Sequence, residues 1–69
     1  MPLPFASPGQ PQTIRRISGT PEMRKHLEAL GFTVGGTVTI INSLRGNLIV
    51  QVKESRIAMD RDLANHVAI

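Results

Sequence analysis

The sequence contains no cysteine, tryptophan or tyrosine, and its two aromatic residues are Phe5 and Phe32. Without cysteine the chain forms no disulfide, thiolate metal site, iron–sulfur cluster or thiol nucleophile. Two phenylalanines offer little surface on which unpaired bases can stack, which argues against a single-strand nucleic-acid binder. The lack of cysteine also agrees with a cytoplasmic location, where thiols stay reduced.

Long apolar runs are missing as well. The longest strongly apolar stretch covers residues 37–41, whereas a transmembrane helix needs about 20 residues. Residues 1–6 contain no basic residue and too short an apolar stretch for a signal peptide, so we expect none. Apolar residues fill 41% of the 69 positions, which is enough for one core, and a single domain over residues 1–69 is predicted. Because so small a core gives marginal stability, homo-oligomerisation stays open.

The charge balance is modestly basic, with eight Lys and Arg against five Asp and Glu, or a net charge of +3. A field of this size does not require a nucleic-acid partner, and none is expected. One alternative stays open, a basic β-barrel that binds RNA or the ribosome through Arg15, Arg16, Arg45, Lys53 and Arg56. Binding of that kind weakens steeply with salt because phosphate contacts release counterions, whereas apolar docking depends little on salt.

Proline and β-branched residues define the N-terminal part of the chain. Four of the five prolines lie within residues 1–12, which argues against a helix there and predicts an extended lead-in. Residues 13–18 are rich in β-branched side chains and are predicted to form the first strand, which Gly19 ends.

The clearest predicted element is a helix whose two ends both carry a signal. Thr20 is a good N-cap, Pro21 suits the first helical position, and Gly31 supplies the left-handed residue that terminates the helix. The helix is amphipathic: its apolar stripe consists of Met23, Leu27 and Leu30, and the other side carries Arg24, Lys25 and Glu28.

Beyond Gly36 the apolar period changes from 3.6 to 2, which indicates strands. The predicted elements are strands 37–41 and 48–53 joined by a turn over 42–47, a strand over 56–59, a helical turn over 62–65 capped by Asp60, and a strand over 66–69. About five short strands, each with one buried face, predict an antiparallel sheet that curls into a small closed barrel, with the helix at one end.

No group of residues predicts catalysis or cofactor binding. His26 and His66 are the only imidazoles, and neither belongs to a spacing typical of a metal site. Asp60 and Asp62 lie close together, but capping of a helical turn explains them better than acid–base chemistry. We therefore expect no catalytic residue, no cofactor, no metal ligand and no enzymatic activity.

Several segments resemble one known family. They are 8–10, 13–17, 27–32 with Gly35 and Val38 behind it, 57–59, 62–64 and 67–69. Together they resemble FeoA, the small accessory protein of bacterial ferrous iron uptake, although Val34 stands where the family commonly has proline. The resemblance implies an SH3-like β-barrel, a cytoplasmic protein peripheral to the inner membrane, and a partner in the membrane ferrous iron transporter with its GTPase domain. The same module occurs in some metal-dependent repressors, but this chain has no helix-turn-helix.

The candidate partner-contact residues come from alternation along the hairpin and from the charged helix face. Ile41 and Ile49 are predicted to point outward with Leu44, opposite to the buried side chains of the hairpin. We hypothesise that the hairpin 37–53 and the helix face contact the partner, through Ile41, Leu44, Ile49, Arg24, Lys25 and Glu28. An alternative stays open, in which the lead-in or a second copy of the chain covers the isoleucines.

Overall fold

The computed structural model describes residues 1–69 and has mainly β structure with one principal helix, as predicted. Its elements are β1 (Pro11–Thr13), β2 (Arg16–Ile17), α1 (Pro21–Ala29), β3 (Thr37–Leu44), β4 (Asn47–Val52), β5 (Ser55–Asp60), α2 (Arg61–Ala64) and β6 (Val67–Ala68), preceded by a 3₁₀ turn at Leu3–Phe5. Neither helix has the length and apolar character needed to cross a membrane.

The strands form two antiparallel sheets rather than one closed cylinder. The larger sheet has the order β1-β3-β4-β5, and β2 pairs separately with β6. The prediction of one closed barrel is therefore wrong. Residues 13–18, expected to form a single strand, bond to the larger sheet at their start and to β6 at their end. The Ile14 N–H donates to the Gly36 carbonyl at 2.8 Å, whereas the Ser18 N–H donates to the His66 carbonyl at 2.9 Å. The chain thus passes from one sheet to the other between these residues.

The hairpin of β3 and β4 is longer and tighter than predicted. Its strands continue to Leu44 and from Asn47, so the turn is Arg45-Gly46, with φ angles of 51° and 83°. Two positive φ angles are typical of the type I′ turn that matches the twist of a hairpin. The register shifts between Ile40 and Asn42, so Ile41 is the extra residue of a β-bulge.

Helix α1 begins and ends as predicted. The Thr20 Oγ1 accepts a hydrogen bond from the Met23 N–H at 3.2 Å. At the other end, the Gly31 N–H donates to the Glu28 carbonyl at 2.9 Å and the Phe32 N–H donates to the Leu27 carbonyl at 3.0 Å. With Gly31 at φ 107°, this pair of bonds is a Schellman motif. The motif ends the helix and directs Phe32 into the core.

The N-terminal segment is part of the core, which the sequence did not indicate. Leu3 is completely buried in the 3₁₀ turn, where the Phe5 N–H bonds to the Pro2 carbonyl at 3.1 Å. The prediction of an extended lead-in is therefore wrong for residues 3–5. Proline is compatible with the first positions of a helical turn, because the N–H groups there have no hydrogen-bond acceptor within the turn. A bridge between Pro2 and Ala68 holds the segment against β6.

One apolar core lies between the two sheets, α1 and the N-terminal segment. It contains no charged or polar residue, and its members are Leu3, Ala6, Ile14, Leu27, Phe32, Val38, Ile40, Leu48, Val50, Val52, Met59, Ala64 and Val67. The inward alternation predicted for the hairpin is confirmed by the burial of its valines, Ile40 and Leu48. The predicted cap of α2 is confirmed too, since the Asp60 Oδ1 accepts from the Leu63 N–H at 2.7 Å.

Replacing Leu3 by alanine should destabilise the protein by about 2–5 kcal/mol, because it leaves a cavity in the core. A domain of this size has a free energy of unfolding of only about 3–10 kcal/mol, so the variant should be largely unfolded on mild heating. Phe5→Ala is the matched control, because Phe5 is 71% exposed and its loss should cost less than about 0.5 kcal/mol. Equal denaturation midpoints for the two variants would contradict the burial of the N-terminal segment.

Candidate docking groove

A groove with a volume of about 520 Å³ lies beside α1. It is lined by residues of β2, of α1 and of the loop that follows α1, namely Ile17, Pro21, Arg24, Lys25, Glu28, Phe32, Thr33 and Val34. Its apolar residues lie beside charged side chains of the helix. A groove of this composition is suited to binding another molecule by apolar contact. The charged side chains around it would determine which molecules bind.

The loop side of the groove is fixed by main-chain hydrogen bonds. The Gly35 N–H donates to the Ile14 carbonyl at 2.8 Å, and the Gly36 N–H donates to the Thr33 carbonyl at 2.9 Å. These bonds hold Val34 at the surface, where 68% of its side chain is exposed. Val34 was not among the predicted contact residues. The sequence did contain an indication of its exposure: Val34 is followed by two glycines, a pattern typical of a surface turn.

The helix side of the groove contains the charged residues predicted to contact a partner. Arg24, Lys25 and Glu28 are all exposed and all line the groove. The opposite face of α1 packs inward, with Leu27 buried and both Met23 and Leu30 half-buried against the core. The amphipathic pattern therefore placed this part of the candidate site correctly on the surface.

The hairpin residues form a separate surface and do not all match their predicted exposure. Ile41 is 39% exposed and Leu44 is 61% exposed. Ile49 faces outward as predicted, between the buried Leu48 and Val50, but it is half-buried because it lies on a central strand between β3 and β5. The lead-in does not cover the patch, although the Gly9 N–H bonds to the Ile40 carbonyl at 2.7 Å.

The end of α1 and Leu44 of the hairpin lie at opposite ends of β4. Gly31, next to the end of α1, lies against the C-terminal end of β4. A Cβ atom at this position would be 3.7 Å from Cγ1 of Val52, the last residue of β4. Leu44 pairs with Asn47 at the other end of this six-residue strand, about 17 Å away. A single small segment of a partner therefore cannot contact both surfaces at once.

The structure does not gather the basic residues proposed for RNA binding. Arg45 lies in the β3–β4 turn, whereas Lys53 lies in the turn at the far end of β4, and Arg15 borders the chain termini. The Arg56 Nε–H donates to the Gln51 Oε1 at 3.2 Å. These basic residues therefore form no continuous surface along which a phosphate backbone could bind.

The two histidines lie in different surroundings. His26 is exposed on α1, and His66 is half-buried with its Nδ1 3.4 Å from the Ser18 Oγ. No three side chains among His, Cys, Asp and Glu come together closely enough to hold a metal ion.

Comparison with known proteins gives the family. The FeoA domain matches residues 1–69, the whole of this chain. The chain belongs to the FeoA family. A relative from Methanocaldococcus jannaschii, provisionally named Fe(2+) transport protein A, is 28% identical over 68 residues, which are 99% of this chain and 83% of the relative. The FeoA family is a ferrous iron transport family, so the expected resemblance is confirmed.

Solved structures agree with the fold of this FeoA-family protein. A crystal structure of an iron uptake regulatory protein (FeoA) is 32% identical, with a TM-score of 0.86 over 96% of this chain and 88% of that one. Iron(II) transport protein A from Clostridium thermocellum has a TM-score of 0.89 at 21% identity, and a manganese-dependent transcriptional repressor has 0.84 at 17%. This chain spans 43% and 39% of those two chains, and at such identities they show the shared SH3-like fold alone.

We expect that the protein binds no stoichiometric ferrous iron, because it has no cluster of three or more converging ligands. An anaerobic calorimetric titration with Fe²⁺ should give only the heat of dilution. A micromolar affinity that is lost in His26→Ala would contradict this prediction.

Proposed function

We propose that this FeoA-family protein is a non-enzymatic accessory protein of ferrous iron uptake that binds the cytosolic part of the membrane GTPase transporter. The observation that carries the proposal is the groove beside α1, where exposed Val34 and the charged side chains of one helix face surround a single concavity. Membership of a ferrous iron transport family supports the choice of partner. Contact with that partner would locate the protein at the inner face of the membrane.

The proposed role is regulation or assembly through binding, with any GTP hydrolysis carried out by the partner. A bound accessory protein shifts the conformational or oligomeric equilibrium of its partner only if it binds the states with different affinities. A nucleotide-dependent transporter offers such states. The groove is framed by the Schellman motif and the loop hydrogen bonds, so its shape is defined by main-chain contacts before a partner binds.

The protein should bind the isolated cytosolic domain of the transporter in a calorimetric titration, with an affinity that differs between GTP and GDP. Because apolar contact is combined with a few exposed charge contacts, the affinity should fall only modestly, by less than about tenfold, between about 50 and 300 mM salt. Excess RNA should not compete.

Absence of binding in every nucleotide state would contradict the proposal. A steep loss of affinity with salt, together with displacement by RNA, would instead favour the nucleic-acid alternative. The protein alone should not accelerate GTP hydrolysis above the rate in buffer.

A further inference from the structure

The accessible apolar part of the groove is formed by two residues. Ile17 comes from β2 and is half-buried, and Val34 lies in the turn after α1; Phe32 also borders the groove but is itself completely buried. The volume of about 520 Å³ is within the range of sites that take a small ligand, and it suffices for one or two large apolar side chains. Helix α1, which borders the groove, has nine residues and is about 13 Å long. A bound chain would therefore be anchored over a few residues only.

The charged part of the groove has an excess of positive charge. Arg24 and Lys25 are adjacent in sequence, and Glu28 is the only acidic residue that lines the groove. Glu28 is four positions after Arg24 and three after Lys25, so it partly neutralises both on the helix surface. An acidic group on a bound segment would therefore be attracted by the remaining positive charge, whereas a basic group would be repelled.

A second copy of this chain is a poorer occupant than an acidic partner. The large apolar side chains exposed on the protein are Met1, Phe5, Val34, Ile41 and Leu44. None of them has an aspartate or glutamate within two positions in the sequence, and Leu44 is followed by Arg45, although its strand partner Asn47 also pairs with Asp60. The chain as a whole carries a net charge of +3, which also disfavours pairing with itself. The net charge therefore favours a different protein as the occupant.

We infer that the groove binds a short acidic segment of the transporter's cytosolic part, in which one large apolar side chain is flanked by aspartate or glutamate. The inference rests on the proposed function. The apolar side chain packs against Ile17 and Val34, while Phe32 stays buried beneath them, and the carboxylate lies near Arg24 and Lys25. Recognition by one anchor and one charge gives modest affinity, as expected for a reversible accessory contact.

The test uses the full-length protein, the cytosolic domain of the transporter, and synthetic peptides that tile that domain. Binding peptides should contain Leu, Ile, Phe or Met with an acidic residue within two positions. Amide resonances of α1 and of residues 33–36 should shift on titration. A binding peptide whose acidic residues are changed to lysine should lose affinity.

Two substitutions on the helix should act in opposite directions. Lys25→Gln should weaken binding of the domain and of the acidic peptides by about two- to fivefold, and Glu28→Gln should strengthen it by a similar factor. Both residues are exposed, so the fold should be unaffected. Val34→Asp should weaken binding at least about tenfold, because it removes an apolar contact and repels the acidic segment. Leu44→Asp, at the opposite end of β4, is the matched control and should bind as the unaltered protein does.

The possible outcomes separate this inference from the proposed function. If the domain binds but Val34→Asp has no effect, or if Lys25→Gln and Glu28→Gln change affinity in the same direction, the inference is wrong and the proposed function stands. Binding peptides that are neutral or basic also overturn it. If the domain does not bind in any nucleotide state, both fail.

Discussion

The termination of α1 at Gly31 is the local feature on which the rest of the structure depends. Two main-chain hydrogen bonds close the helix, and the positive φ of Gly31 reverses the chain so that Phe32 enters the core completely. Phe32 thereby fixes α1 against the sheets. The same reversal starts the loop that displays Val34, so one backbone motif both anchors the helix and forms the apolar side of the groove.

The elements that local signals determine were predictable from the sequence. A cap residue, a first-turn proline and a terminal glycine fixed α1, and the two-residue period fixed the inward side chains of β3 and β4. Those signals act between residues close in sequence, so no tertiary knowledge was needed. Asp60 as the cap of α2 belongs to the same class. The exposure of Arg24, Lys25 and Glu28 followed directly from the position of the apolar stripe.

The features that were missed depend on contacts between distant segments. Leu3 is buried because β6 and α2 provide a surface for the N-terminal turn, and nothing within residues 1–12 indicates that. The bulge at Ile41 and the neighbours of Ile49 arise from strand register, which alternation alone does not specify. The groove itself required the loop after α1 to lie beside β2. Sequence reasoning therefore found the charged half of the candidate site and missed the apolar half.

We propose that the transporter contacts the surface beside α1 rather than the hairpin patch of Ile41 and Leu44. The most direct test of this proposal is photo-crosslinking in intact cells, with a photoreactive residue placed at Val34 in one variant and at Leu44 in another. Both side chains are more than half exposed, so both probes are accessible. The account predicts a crosslink to the transporter from position 34 and none from position 44. Any crosslink from position 44, or no crosslink from position 34, would contradict it.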